Sequence, residues 1–273
     1  MDNAILEKLP DFLETLGIDE SPMGLCYVNE KPEYGFSPKS SEMPTREREI
    51  NDEVDWEAVF GNFSCAMGHV WLARKKKTNA YFSSDQFGCP GAFFYLGFTK
   101  PQTETIINSL TSGIPGVMDG DHYCKSPEEL RNIFEHLDPR PAPQKYCLVK
   151  PVDQFTKDEL PECVTFFVRP ESMCGLHEIC MYITSEAEVV VAPNLTACAS
   201  ISAWPLHYLQ KGQRRAIIGG FDSVARKYFK VDELSFTVSW DMFSDMLTEY
   251  EGSSLKTANW KGMAKKIEMS KKR

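Results

Sequence analysis

None of the nine cysteines stands three residues from another. The sequence therefore has no Cys-x-x-Cys pair, and nothing indicates a zinc ribbon, a thioredoxin-like site or a ferredoxin loop. It lacks a Gly-x-Ser-x-Gly elbow, which lowers hydrolase readings. It also lacks a Walker-type phosphate loop and a Rossmann glycine fingerprint. No apolar run approaches the length of a membrane span, and the opening Met-Asp-Asn-Ala-Ile-Leu-Glu has neither the basic start nor the apolar core of a signal peptide. Positive charge is in deficit: 30 Lys and Arg against 39 Asp and Glu give a formal charge of −9, which disfavours nonspecific binding to nucleic acid. The basic tail of Lys265, Lys266, Lys271, Lys272 and Arg273 is too short to reverse this and reads as a solvated or frayed end. These absences together lead us to expect a soluble, cytoplasmic protein that binds neither membrane nor nucleic acid.

What is present fits an ordinary globular chain. Its 273 residues, 42% hydrophobic, suffice for one large domain or two intimate halves. In a reducing compartment, disulfides explain nine cysteines poorly, and the odd count argues against complete pairing. Many should be small buried hydrophobes, Cys147 and Cys163 above all, because both sit in apolar, strand-like contexts.

Hydrophobic periodicity predicts helices over 4–16, 63–77, 90–97, 102–110, 126–137, 170–182, 197–210 and 240–249. It predicts strands over 22–28, 80–83, 164–168, 188–192, 216–218 and 235–239. Residues 29–55 read as a long polar surface loop, a candidate lid. The proline-rich stretch 138–143 is the clearest linker. Alternating helices and strands predict an α/β fold with a mixed sheet and flanking helices, organised as an N-terminal half (1–140) and a C-terminal half (141–273) packed as one unit.

The two halves can be laid over each other. Asn62-Phe-Ser-Cys65-Ala66 is followed by Trp71, a basic run 74–77 and the strand Ala80-Tyr-Phe82. Asn194-Leu-Thr-Ala-Cys198-Ala199 is followed by Trp204, the basic stretch 211–215 and the strand Ala216-Ile-Ile218. The cysteine precedes the tryptophan by six residues in both, and Asp85 and Asp222 follow the two strands. The expectation is a pseudo-symmetric duplication with Cys65 and Cys198 in equivalent places.

A thiol at a helix start feels the helix dipole and free N–H groups, which favour thiolate, and thiolates are nucleophiles and soft-metal ligands. Cys65, Cys89 and Cys198 all fall at predicted helix starts. They could hold an iron–sulfur cluster or another soft metal with one position open, and His69, one turn beyond Cys65, could add a ligand. A lone helical histidine is more often structural. Asp119-Gly-Asp-His122 reads as a polar turn, and His177 and His207 need no special role. Arg214 and Arg215 read as a solvated basic patch.

Cys65-Ala66, Cys89-Pro-Gly-Ala92 with Leu96-Gly97, Pro161-Glu-Cys-Val164, Ala197-Cys198-Ala199 and the segment Asp222 to Arg226 together resemble the domain of unknown function 169 family, a group common in anaerobic bacteria and archaea. The resemblance runs from about residue 20 to about 250 and implies a fold and a cysteine pattern, but no activity. Three readings follow. In the first, Cys65, Cys89 and Cys198, with His69, bind an iron–sulfur cluster or soft metal and carry redox or Lewis-acid chemistry. In the second, a metal-free thiol enzyme acts on a small anionic substrate held by Arg226 or by the run Lys75-Lys76-Lys77, with Asp222 also a candidate for substrate binding. In the third, the protein binds a small molecule without catalysis. A small molecule or an electron-transfer protein is the expected partner, and a homo-oligomer is compatible with all three.

Overall fold

The computed structural model describes residues 3–39, 46–86, 88–98 and 104–271. Seven strands among them form one sheet: β1 (Met23–Val28), β2 (Ala80–Ser83), β3 (Tyr146–Pro151), β4 (Cys163–Val168), β5 (Val190–Val191), β6 (Ala216–Gly219) and β7 (Leu234–Ser239). Their order is β2-β3-β1-β4-β7-β6-β5. Every pairing is antiparallel except the short β5–β6 pair, so the sheet is mixed, as expected. Outward from the β1–β4 seam, one side meets the first, third and second strands of its half. The other side meets β4, β7 and β6, the same sequence once the two-residue β5 is set aside.

Strand alternation assigns the two faces. Met23, Leu25 and Tyr27 of β1, Ala80 and Phe82 of β2, and Cys147 and Val149 of β3 point into one core. Helices Ala66–Lys76, Pro90–Tyr95, Glu104–Leu110, Pro127–Leu137 and Ala197–Ile201 share that core. Val164, Phe166, Phe236 and Val238 point the other way, under helices Leu9–Leu16, Pro170–Thr184 and Trp240–Glu249. The opposite face of the β1–β3 side carries a smaller cluster of Cys26, Tyr81, Leu148 and Phe155.

Several elements depart from the sequence reading. β3 lies beyond the proline-rich 138–143 stretch yet pairs with both β1 and β2. The helix expected over 63–77 starts only at Ala66, and the one expected over 197–210 breaks at Ser202 (φ −138°, ψ −76°) into Ala197–Ile201 and Ala203–Gln210. The strand expected over 188–192 shrinks to Val190–Val191. The short helix Arg46–Ile50 lies within the loop expected over 29–55, and helix Trp56–Gly61 follows it; residues 40–45 of the expected loop lie outside the described residues, as do 102–103 of the helix expected over 102–110. The basic tail continues a helix, Ala258–Lys271, where a frayed end was expected; Lys272 and Arg273 lie outside the described residues. Trp260 anchors that helix by donating its indole N–H to the Thr15 carbonyl at 2.9 Å. Among the described residues no helix is long and apolar enough to cross a membrane.

Candidate functional site

The three cysteines stand at three helix starts. Cys65 is the N-cap of helix Ala66–Lys76 and Cys89 the N-cap of helix Pro90–Tyr95, both with extended backbone. Cys198 is the second residue of helix Ala197–Ile201. Pro90 suits its place because the N–H it lacks would have no partner within the helix. The Ser64 N–H donates to the Gly88 carbonyl at 2.9 Å, which sets the chain at Cys65 beside the chain at Cys89. Gly88 has φ +65°, and a Cβ there would fall 2.4 Å from Ser64 Oγ, so only glycine fits this approach. Tyr27 in β1 donates its hydroxyl to the Leu96 carbonyl at 2.9 Å and pins the far end of the Cys89 helix to the sheet. Helix Ala197–Ile201 packs against both other helices. The thiols are close enough to repel one another once ionised, Cys89 with Cys65 and Cys198 with both.

Burial dominates their protonation. It raises Cys65, pushes Cys89 up to about 12 and lifts Cys198 well above an ordinary thiol. The backbone works in the opposite direction. The N–H groups of Met67 and Gly68 near the Cys65 sulfur, and of Ala92 and Gly91 near the Cys89 sulfur, favour the thiolate, although neither sulfur makes a capping hydrogen bond. Thr196 Oγ1 lies 3.2 Å from Cys198 Sγ. Metal-free, the cluster holds protonated thiols, with donors already placed for negative sulfur.

Asp222 borders the cluster from the loop after β6. Its Oδ1 accepts from the Tyr123 hydroxyl (2.9 Å) and from the N–H groups of Val224 (2.8 Å) and Ala225 (3.0 Å), and its Oδ2 from the Ala197 N–H (2.9 Å). Four donors satisfy the buried carboxylate without a cation, and its charge adds to the proton affinity of all three thiols. Arg226 donates to the carbonyls of Glu233 (2.6 Å), Lys230 (2.9 Å) and Val231 (2.7 Å), stapling the turn before β7. Both candidates for substrate binding are thus engaged within the fold.

His69 makes its contacts with Ser64 and Phe82. Its Nε2 is 3.1 Å from Ser64 Oγ, its ring meets Phe82 edge-on, and burial lowers its pKa, keeping the imidazole neutral. Its Nδ1 is buried without a partner among the described residues. Among those residues, no three His, Cys, Asp or Glu side chains are grouped as a metal site would require. The donor types suit a soft metal, but the sulfurs would have to draw together around it.

A family model for DUF169, described as uncharacterised ArCR, matches residues 11–249. The chain belongs to the DUF169 family. The match spans all three site cysteines, Asp222 and Arg226. Neither a curated protein nor a solved structure matches the chain.

Three residues of this DUF169 site were given no role by the sequence reading, although Thr196 was matched there as a hydroxyl residue shortly before Cys198. Thr196 caps the Cys198 helix by accepting the Ala199 N–H at 3.2 Å. Tyr123 reaches Asp222 from a loop 99 residues away. Tyr95 is buried beside Thr196, Cys198 and Cys89, and its hydroxyl makes no hydrogen bond among the described residues. Thr196, two residues before Cys198, carried a usable signal as an N-cap threonine. Tyr95 carried none, because helix Pro90–Tyr95 is buried throughout and reads as core.

Proposed function

We propose that this DUF169 protein binds a soft metal, as an iron–sulfur cluster or a single ion, through Cys65, Cys89 and Cys198. The coordination position left free would carry redox or Lewis-acid chemistry, with a small molecule or an electron-transfer protein as partner. The observation that carries this reading is the packing together of three helix starts that each carry a cysteine, with backbone N–H groups near Cys65 and Cys89 that favour thiolate. Such donors have little value to a neutral thiol and much to a thiolate. A soft metal displaces the thiol protons, so proton affinities raised by burial do not preclude ligation.

The same affinities weigh against a metal-free nucleophile, which needs thiolate at neutral pH. They are high for all three cysteines, and Asp222 reinforces them. A metal site here requires the three side chains to draw together, since they are not grouped for ligation as they stand. His69 would join only by leaving Ser64.

We also propose that the two halves descend from one duplicated unit. The mirrored strand order about the β1–β4 seam supports this, as does a cysteine helix packed beside the strand that follows it on each side. The unit boundary would then lie between β3 and β4, near Pro161, rather than at 140–141. The decisive test of the metal reading is anaerobic purification followed by a near-UV and visible spectrum with iron, sulfide and metal analysis. Bound metal near one equivalent, or iron with matching sulfide, is expected. A colourless, metal-free and correctly folded protein that takes up no metal on reconstitution overturns the reading.

A further inference from the structure

We infer that the exposed face of helix Ala66–Lys76, with the turn that carries Lys227 and Tyr228, is a docking surface for an acidic face of a partner protein. The inference stands on surface residues and does not depend on the metal reading. Gly68, Trp71 and Lys75 follow one another at helical spacing along one stripe of that helix. Tyr228 covers Gly68, where a Cβ would fall 3.0 Å from the tyrosine Cζ. The Tyr228 and Trp71 ring centres are 6.3 Å apart. Lys75 Nζ lies 5.1 Å from the Trp71 ring centre, and Lys227 Nζ lies 5.3 Å from that of Tyr228. Two rings thus stand side by side, with an ammonium group held at each end. Trp71, Lys75, Lys76 and Lys227 are exposed and Tyr228 is half-buried.

The cations around this face are engaged within the fold. Arg74 and Lys230 bond Glu20, Arg74 also bonds Glu233, and Arg226 donates to backbone carbonyls. Lys75, Lys76 and Lys227 have no carboxylate at ion-pair distance among the described residues. The chain as a whole carries a formal charge of −9, so a group of unpaired cations beside two rings is an isolated positive patch. An acidic face supplies the charge that is missing. Tyrosine and tryptophan give contact area at the centre of an interface, and charges at its rim steer and orient the partner. A nucleic acid fits less well, because its phosphates would run on from this patch over an acidic surface. A small molecule fits less well too, because such ligands need enclosure. Lys227 is near enough to Cys65 to favour its thiolate, which places the docked partner at the edge of the cysteine cluster.

The test uses the full chain and a labelled synthetic peptide of repeated Glu-Phe-Glu-Gly units as the probe, followed by fluorescence anisotropy. The peptide should bind at low salt and weaken at physiological salt, and a version with Gln for Glu should not bind. Carbodiimide coupling should join its carboxylates to Lys75, Lys76 and Lys227. Lys75→Gln with Lys227→Gln should weaken binding about five-fold or more, the expected loss for two exposed ion pairs. Trp71→Ser should weaken it as well. Lys261→Gln with Lys265→Gln removes the same charge from the exposed side of the C-terminal helix and should leave binding unchanged. Both lysine variants should melt as the parent does. Absent binding, equal loss in the two lysine variants, coupling scattered over the surface, or indifference to Trp71→Ser overturns the inference. Tighter binding of a single-stranded oligonucleotide through the same lysines, or a salt-sensitive dimer that Lys75→Gln dissolves, overturns it in favour of nucleic acid or a second copy of this chain.

Discussion

Asp222 Oδ2 accepts the Ala197 N–H at 2.9 Å, so a carboxylate from the loop after β6 holds the first turn of the Cys198 helix. The same carboxylate presses negative charge on the three thiols. Asp222→Asn sets an amide donor against other donors and should cost about 3 kcal/mol in chemical denaturation. Removing the charge should also shift the pH midpoint of thiol alkylation downward for Cys65, Cys89 and Cys198. An unchanged midpoint would show that the charge does not reach the sulfurs.

Alkaline pH should destabilise the protein steeply. Burial pushes Cys26, Cys89 and Cys163 up to about 12, from an ordinary value of 9.0. A thiol whose folded pKa is raised contributes stability that is intact below pH 9 and is lost as pH climbs from 9 towards 12. Each contributes a slope of about 1.4 kcal/mol per pH unit in that window. Denaturation series at pH 8, 9 and 10 should show the fall, and Cys163→Ala should reduce its slope by about one proton. A flat profile from 8 to 10 contradicts this.

Thiol labelling should follow exposure. Cys174 is the exposed cysteine on helix Pro170–Thr184 and should react first with a maleimide at pH 7. Cys65, Cys89 and Cys198 should lag by at least about ten-fold, because burial and Asp222 both disfavour their thiolates. Peptide mapping of the labelled protein gives the order. Fast labelling of any of these three would revive the nucleophile reading.

A buried ion pair ties the Cys65 helix to the turn before β7. Arg74, on the Cys65 helix, bonds both Glu233 oxygens at 2.9 Å and Glu20 at 2.8 Å, with its guanidinium 3.8 Å above the Phe167 ring. The Arg74 and Glu233 side chains are 8% and 3% exposed. Arg74→Ala strands a buried carboxylate and should cost about 3–5 kcal/mol. Arg74→Met with Glu233→Gln should recover much of that loss in a double-mutant cycle.

How much of this was legible in sequence depended on distance along the chain. Cys89-Pro90 announced a helix start through proline's preference for the first turn, and Cys65 and Cys198 stood out by their matched spacing to Trp71 and Trp204. The break at Ser202 was hidden inside a stretch of mostly small and apolar residues, with Pro205 in the first turn of the second helix as the faint trace of it. β3 was masked by the prolines that precede it and by Lys150, a charged residue near its end that pairs with Glu159 at 2.6 Å. Asp222 drew attention as a candidate substrate ligand. Its actual bonds, to Tyr123 and Ala197, join segments that only the folded sheet brings together. Tyr95 looked like core because it is core; what distinguishes it is one oxygen atom.

The most direct measurement is X-ray absorption at the metal edge of anaerobically isolated protein, or of protein reconstituted with iron or zinc. Three protein sulfurs at about 2.3 Å should surround the metal. Cys65→Ser, Cys89→Ser and Cys198→Ser should each remove one of them, while Cys174→Ser leaves the shell intact. A metal shell of nitrogen and oxygen alone, or a sulfur count indifferent to these three substitutions, would contradict the account.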